Sequence, residues 1–271
     1  MPLTSQAEYV LYARGVSFSY YDGDVLSDVT LKLQCGELVG LIGPNGSGKT
    51  TLLKLLSGLL KPKAGAVYLG GRDVRYIPRR EMARRIAVVP QDLNVPFAFT
   101  VHELVMMGRT PYIRAWRGES KRDRVVVERV MEATGTIELA ERPFNELSGG
   151  EQRRVVIAMA LAQEPEILLL DEPTVHLDIN HQVEMLELIK RLNAGDKVTV
   201  LAAIHDLNLA ALYFERLVLL NRGRLVVDGP PERVLNEFTL RGVFGADVRV
   251  LEHPTCQGVP QITVLPHALE R

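Results

Sequence analysis

The stretch Gly43-Pro44-Asn45-Gly46-Ser47-Gly48-Lys49-Thr50 constrains this chain more than any other. It fits the phosphate-cradling pattern G-x-x-x-x-G-K-[ST], which carries meaning only between a buried strand and a helix. Leu38-Val39-Gly40-Leu41-Ile42 reads as that strand, and Thr51-Leu52-Leu53-Lys54-Leu55-Leu56 opens a helix expected to end at Pro62. Small residues let the backbone curl until successive N–H groups point inward, and the helix N-terminus adds partial positive charge at the same spot. Lys49 then reaches the outer phosphates of a nucleotide, and the Thr50 hydroxyl can ligate Mg²⁺. A plain glycine-rich helix cap is the alternative, and the flanking strand and helix argue against it.

The 271 residues carry a formal net charge of −1, so a strongly basic nucleic-acid surface is not expected. Cys35 and Cys256 are the only cysteines, too few and too far apart for a disulfide scaffold or a zinc site. The first eight residues have neither a basic start nor an apolar core and do not read as a signal peptide. No apolar run approaches the length that spans a bilayer, so any membrane role has to come through a partner.

Tyr9 to Leu33 alternates and is rich in β-formers, with turn residues at Asp22-Gly23-Asp24, which predicts antiparallel strands. Gly65 to Val74 predicts a short strand pair around Gly70-Gly71. Six arginines between Arg72 and Arg85 read as the wet face of a helix. Ile86 to Val89 is a strand leading to Gln91, and from Asp92 to Ala162 the apolar spacing turns helical, a helical insert between two core strands. Ile167–Leu170 and Val198–Ile204 are unbroken apolar runs, suited to strands buried on both faces of a parallel sheet. Between them Val183, Leu186, Ile189 and Leu192 form one stripe that is expected to stop at Asn193-Ala194-Gly195. Alternating strands and helices predict an α/β fold with a three-layer core. Leu217 to Val227 reads as a terminal hairpin broken at Asn221-Arg222-Gly223, and nothing is legible from Ala246 onward.

The run Ile167–Leu170 delivers Asp171 and Glu172 to the end of a strand. Beside a phosphate loop, that is where an Mg²⁺-holding Asp belongs. A second carboxylate there can take a proton from an attacking water. Leu147-Ser148-Gly149-Gly150-Glu151 contains the capping box S-x-x-E. Its two glycines are poor in a first helical turn, but they let a ligand approach bare N–H groups at a positive helix end. Gln91 and His205 each end a strand, where both a structural hydrogen bond and a phosphate or metal contact are open to them. Tyr20 and Tyr21 fit either sheet packing or stacking on a base.

The order of these motifs resembles the ATP-binding subunit of an ABC transporter over roughly residues 10–244. LSGGE followed by LLLDEP is the most specific part. The resemblance implies the ABC ATPase nucleotide-binding fold: a P-loop α/β core, an antiparallel β subdomain and an inserted α-helical subdomain. The expected division is 1–91 for the antiparallel and phosphate-loop part, 92–162 for the helical subdomain, 163–245 for the rest of the core, and 246–271 for a tail. It implies ATP and Mg²⁺ as ligands. Tyr20 would stack on adenine, and the loop from Gly43 to Gly48 with Lys49, Thr50 and Thr51 would hold phosphate and Mg²⁺. Gln91 would sense metal, water and the membrane subunit. Asp171 would hold Mg²⁺, Glu172 would act as base, Asp178 would face a dimer partner, and His205 would contact the γ-phosphate. Ser148, Gly149 and Gly150 would serve ATP bound to the opposite subunit.

Thr100 to Pro111, His176 to Gln182 and His205 to Asn208 are similar to importer ATPases for iron–siderophore, haem and cobalamin, although Val175 replaces the small residue usual there. The implied partners are a second copy of the chain, two integral membrane permease subunits and, indirectly, a substrate-binding protein, with no nucleic acid. The implied location is the cytoplasmic face of the inner membrane, held there peripherally by the permease. A molybdate or tungstate importer of the same architecture, and a soluble ABC ATPase acting on nucleic acid or the ribosome, are the alternative readings.

Overall fold

A computed structural model of the chain describes residues 9–20, 23–93, 95, 97–113 and 118–265. Tyr21, Asp22, Pro96 and the last six residues of the expected tail lie outside the described residues. The N-terminal half runs β1 (Leu11–Tyr20), β2 (Gly23–Leu33), β3 (Leu38–Ile42), α1 (Lys49–Leu56), β4 (Ala64–Leu69), β5 (Arg72–Asp73), α2 (Arg79–Arg85) and β6 (Ile86–Val89). Three helices follow, α3 (Val101–Met107), α4 (Lys121–Ala133) and α5 (Gly149–Leu161). The chain returns through β7 (Ile167–Asp171), α6 (Ile179–Asp196), β8 (Thr199–Ala203), α7 (Leu207–Tyr213), β9 (Arg216–Asn221) and β10 (Arg224–Gly229). It closes with α8 (Pro231–Val234), α9 (Glu237–Phe244), β11 (Val248–Glu252) and β12 (Pro260–Val264).

Six strands form the central sheet in the order β10-β9-β3-β8-β7-β6, parallel except for β10. Side-chain alternation splits it into two faces. Ile42, Val89, Leu168, Leu170, Val200 and Ala202 face the core built from α3 to α7. Val39, Leu41, Ile167, Leu169, Leu201 and Val218 face the core shared with α1 and with a four-stranded antiparallel sheet, β2-β1-β4-β5. Burial on both sides is why β7 and β8 read as unbroken apolar runs. The fold is thus the mixed α/β arrangement that the sequence predicts.

Several boundaries differ from expectation for local reasons. Helix α1 ends at Leu56, well before Pro62, because Gly58 at φ +71° turns the chain out of the helix. Helix α6 runs to Asp196, past Asn193-Ala194-Gly195, and Lys197 in the left-handed conformation ends it. The stripe on α6 buries Leu186, Ile189 and Leu192 but leaves Val183 partly exposed. The hairpin β9–β10 turns at Asn221-Arg222-Gly223 as expected, but it is not terminal, because β11 and β12 form a further antiparallel pair. The arginine run is not simply solvated. Arg80 and Arg84 donate to the main-chain carbonyl of Pro111, and Arg85 pairs with Glu166 at 2.8 Å. Close packing of α3 on α5 explains Gly108: a Cβ there would lie 2.1 Å from the carbonyl oxygen of Met159.

Candidate active site

The loop between β3 and α1 leaves the end of a central strand and returns as a helix, with positive φ at Gly43, Gly46 and Gly48 (152°, 74° and 105°). A Cβ on Gly43 would lie 2.1 Å from the Leu220 carbonyl oxygen, so the loop is pressed onto β9 as well as curled. The first turn of α1 holds no acidic residue, which leaves its positive end uncompensated within the helix. Lys49 is buried, and its Nζ donates to the carbonyls of Gly43 at 2.9 Å and Pro44 at 3.3 Å. Glu172 Oε1 lies 3.8 Å from the same Nζ, an ion pair without a hydrogen bond. Burial pulls the Lys49 ammonium below its usual range, and the charges of Glu172 and Asp171 oppose that shift.

β7 places Asp171 at its last position, beside α1. The Thr50 hydroxyl lies 3.1 Å from Asp171 Oδ1 and donates to it. Burial pushes the Asp171 carboxyl up, the bond from Thr50 holds it down, and the neighbouring Glu172 charge adds to the rise. Glu172 follows at φ +50°, a left-handed conformation that a non-glycine residue rarely adopts. A cleft of about 480 Å³ opens over these groups, lined by Val25, the loop from Asn45 to Thr51, Gln91, Glu172, Val175, His176 and His205. The structure therefore brings Lys49, Thr50, Thr51, Gln91, Glu172 and His205 together around one cleft. Val25 and His176 line it too. Val25 stands in none of the motifs, and His176 opens the stretch His176 to Gln182 without having been assigned to the site; only the fold brings both there.

Tyr20 does not line this cleft. It ends β1 half-exposed, with its ring edge-on to Phe18 at 4.8 Å. Ser148, Gly149 and Gly150 lie at the N-terminus of α5, outside the same cleft. There the capping box is complete: Glu151 N–H bonds the Ser148 hydroxyl, and Glu151 Oε2 accepts from Ser148 N at 2.8 Å. A Cβ on Gly149 would meet nothing within 4 Å, which leaves its backbone open to a ligand, whereas one on Gly150 would lie 2.7 Å from the His181 ring. Packing against His181 accounts for the second glycine, which sequence reasoning assigned to a ligand alone. His181 is itself held by Asp178, whose carboxylate caps α6 through His181 N and bonds the ring Nδ1 at 2.8 Å. Gly149 lines a second cleft of about 420 Å³ that shares Gln91, Val175 and His176 with the first.

Two features fit a bound nucleotide and cation. Ser47 Oγ is buried in the loop with no hydrogen-bond partner among the described residues, an orphaned donor beside the helix end. Thr50 and Asp171 supply two hard oxygens side by side. Two protein oxygens suit an ion that completes its shell with water and phosphate oxygens.

The family profile described as ABC transporter matches residues 26–175. Over 242 residues the chain is 45% identical to a cobalamin import ATP-binding protein of Halobacterium salinarum, covering 89% of this chain but only 60% of that protein's length. It is 40% identical over 256 residues to a probable siderophore transport system ATP-binding protein of Bacillus subtilis, with 94% and 92% covered. It is 43% identical over 244 residues to a hemin import ATP-binding protein of Rhodococcus jostii, with 90% and 82% covered. Among solved structures, it superposes with a TM-score of 0.84 on a candidate metal-chelate type ABC transporter in an inward-facing conformation, at 27% identity, covering 96% of this chain and 98% of that one. A dimeric ATP-binding cassette in a post-hydrolysis state, bound to ADP and Pi, gives 0.71 at 32% identity, covering 82% and 98%.

Proposed function

This chain belongs to the ABC transporter family, and from that premise we propose that it is the ATP-hydrolysing subunit of an importer for a metal chelate of the iron–siderophore, haem or cobalamin class. The observation that carries the hydrolytic part is the meeting of Thr50 with Asp171 and of Lys49 with Glu172 at the mouth of the phosphate loop. The loop N–H groups and Lys49 bind and orient the β- and γ-phosphates. Thr50 and Asp171 would hold Mg²⁺, which would supply countercharge to those phosphates. Glu172 accepts the proton of the attacking water, while Gln91 and His205 orient the nucleophile and the γ-phosphate from the cleft wall. Tyr20, at the end of β1, is assigned to the adenine.

The importer part rests on the relatives. Among the described residues no helix is long and apolar enough to cross a membrane. We assign membrane attachment to permease subunits, contacted through the segment from Asp92 to Tyr112, with the chain on the cytoplasmic face. A substrate-binding protein delivers the cargo to that permease. A second copy of this chain completes each nucleotide site with Ser148, Gly149 and Gly150. The test is Mg²⁺-dependent release of phosphate from ATP by the full chain, compared with Lys49→Ala. Turnover by the native chain, lost in the variant, supports the reading, and equal rates in both would overturn it. Cargo is tested in a reconstituted complex. Stimulation by a binding protein loaded with a metal chelate supports this class, and stimulation only by one loaded with molybdate would replace it.

A further inference from the structure

We propose that Arg153 is a positioning residue that couples the N-terminal end of α5 to Glu172 and Gln91, a role that rests on the ATPase reading above. Arg153 lies one turn into α5 and is only 9% exposed. Nη1 donates to the carbonyl of Pro90 at 2.8 Å, and Nη2 to the carbonyl of Glu172 at 2.9 Å. Pro90 immediately precedes Gln91, so one planar group holds the backbone at both residues that flank the reacting phosphate. The donors of a guanidinium are fixed in a fork. A displacement of α5 against the sheet therefore has to strain or break both bonds together.

This is a costly way to pack a helix. Burial pulls the Arg153 guanidinium below its usual range, and the charges of Asp92, Asp171 and Glu172 oppose that. Among the described residues, its hydrogen bonds go to main-chain carbonyls and none to a carboxylate. A buried apolar side chain would fill the space at lower desolvation cost, so the charge is retained for what it orients. What it orients is strained. Glu172 sits at φ +50°, a conformation that persists only when its surroundings over-determine it. Two donors fix its carbonyl, Arg153 Nη2 and the N–H of Val175. With that carbonyl fixed, the Glu172 side chain is aimed at Lys49. The same helix carries Ser148, Gly149 and Gly150 at its start, three to five residues or about 4.5–7.5 Å of helical rise from Arg153. A nucleotide contacted by that end is thereby linked, through Arg153, to the base that acts on this chain's own nucleotide.

The test is the split between turnover and binding in the full chain. Arg153→Ala is expected to lower kcat for ATP about 10- to 100-fold, the scale of a base displaced by roughly an ångström, while ATP affinity stays within about 2-fold and the melting temperature stays within a few degrees. Arg153→Lys, which keeps the charge and can serve one carbonyl, is expected to recover part of that loss. With Glu172→Gln already present, Arg153→Ala is expected to subtract much less, because residues acting as a unit are not additive. An unchanged kcat, or equal loss of kcat, affinity and thermal stability with no recovery in Arg153→Lys, would overturn the proposal. If Arg153→Ala does not fold, Arg153→Lys and Arg153→Gln are compared by the same split, and equality of both with the native chain would overturn it. A native chain without ATPase activity is a separate outcome that removes the functional reading and the role of Arg153 with it.

Discussion

Arg109 is the most deeply buried charge in the helical layer, and replacing it with Met gives a sharp energetic prediction. Its guanidinium is 1% exposed. Nε donates to Asp123 Oδ1 at 2.9 Å, and Nη1 donates to the Ala162 carbonyl at 2.6 Å and to Glu164 Oε2 at 2.9 Å. The end of α3 is thereby tied to the start of α4 and the end of α5. Glu164 is 26% exposed and regains water when Arg109 is removed, so it contributes little to the loss. Asp123 cannot do so, being 7% exposed in its side chain. Removing one partner of a buried pair typically costs about 3–5 kcal/mol. Asp123 keeps its bonds from Ser120 N and Oγ, which places the loss near the lower end, about 3 kcal/mol. For a chain of this size that lowers the melting temperature by about 6–12 °C. The assay is thermal unfolding of Arg109→Met, Asp123→Asn and the double variant. The double variant should lose less than the sum of the single losses. The pH dependence has a definite sign. Burial pushes the Asp123 carboxyl up, but the bonds from Ser120 and Arg109 outweigh it and leave a net lowering. Arg109's part of that stabilisation is therefore present above the ordinary value of 3.8, and the gap to Arg109→Met closes as pH falls through the lowered folded value. A loss below about 1 kcal/mol, the scale of an exposed pair, or a gap that widens in acid would refute this account.

Glu172→Gln is expected to keep ATP binding and lose about 10²–10⁴-fold in turnover, read from phosphate release beside equilibrium binding; parallel losses of both would make Glu172 a binding residue instead. Asp171→Asn should abolish Mg²⁺-dependent turnover yet raise the melting temperature of the nucleotide-free chain at pH 7. Burial raises the folded carboxyl above 3.8, so ionisation opposes folding at neutral pH, and the advantage of Asn fades as pH falls through the raised value. A lower melting temperature at pH 7 would contradict it. A cysteine placed between Asp92 and Tyr112 should crosslink to the permease in an ATP-dependent way; Phe97 there is exposed. Crosslinks arising only from Glu237 to Arg271 would move the docking surface to the other end of the chain.

Much of this site was legible because its signals are local. A curled loop between a strand and a helix needs small residues in a fixed order, so residues 43–50 announce themselves. A strand buried on both faces has to be apolar throughout, so Asp171 stands out at its end. What stayed hidden depends on contacts between distant segments. Nothing around Arg153 in the sequence separates a guanidinium that holds Pro90 and Glu172 from a solvated one. The arginines at 80 and 84 look like a wet helix face until the carbonyl of Pro111 is brought to them. Nothing near Gly150 in the sequence signals that His181 packs on it. The hairpin β11–β12 was illegible because its strands are short and largely exposed. Asn208 pins it to α7 through two hydrogen bonds with the backbone of Ile262, a contact that no local pattern signals.

The central claim is that each nucleotide site is built from two copies of this chain, since Ser148, Gly149 and Gly150 lie outside the cleft that holds Lys49 and Glu172. Lys49→Ala spoils a chain's own phosphate loop, and Gly149→Asp spoils only the site it lends, by placing an acid against phosphate. Each variant alone forms a dimer with two defective sites. A mixed dimer has one site with both defects and one with neither. The measurement is ATP trapped per mixed dimer, with Glu172→Gln in both chains to block turnover. The account predicts one trapped ATP per verified mixed dimer and none in either parent. No trapped ATP in the mixed dimers would contradict it and leave both motifs acting on one nucleotide within a single chain.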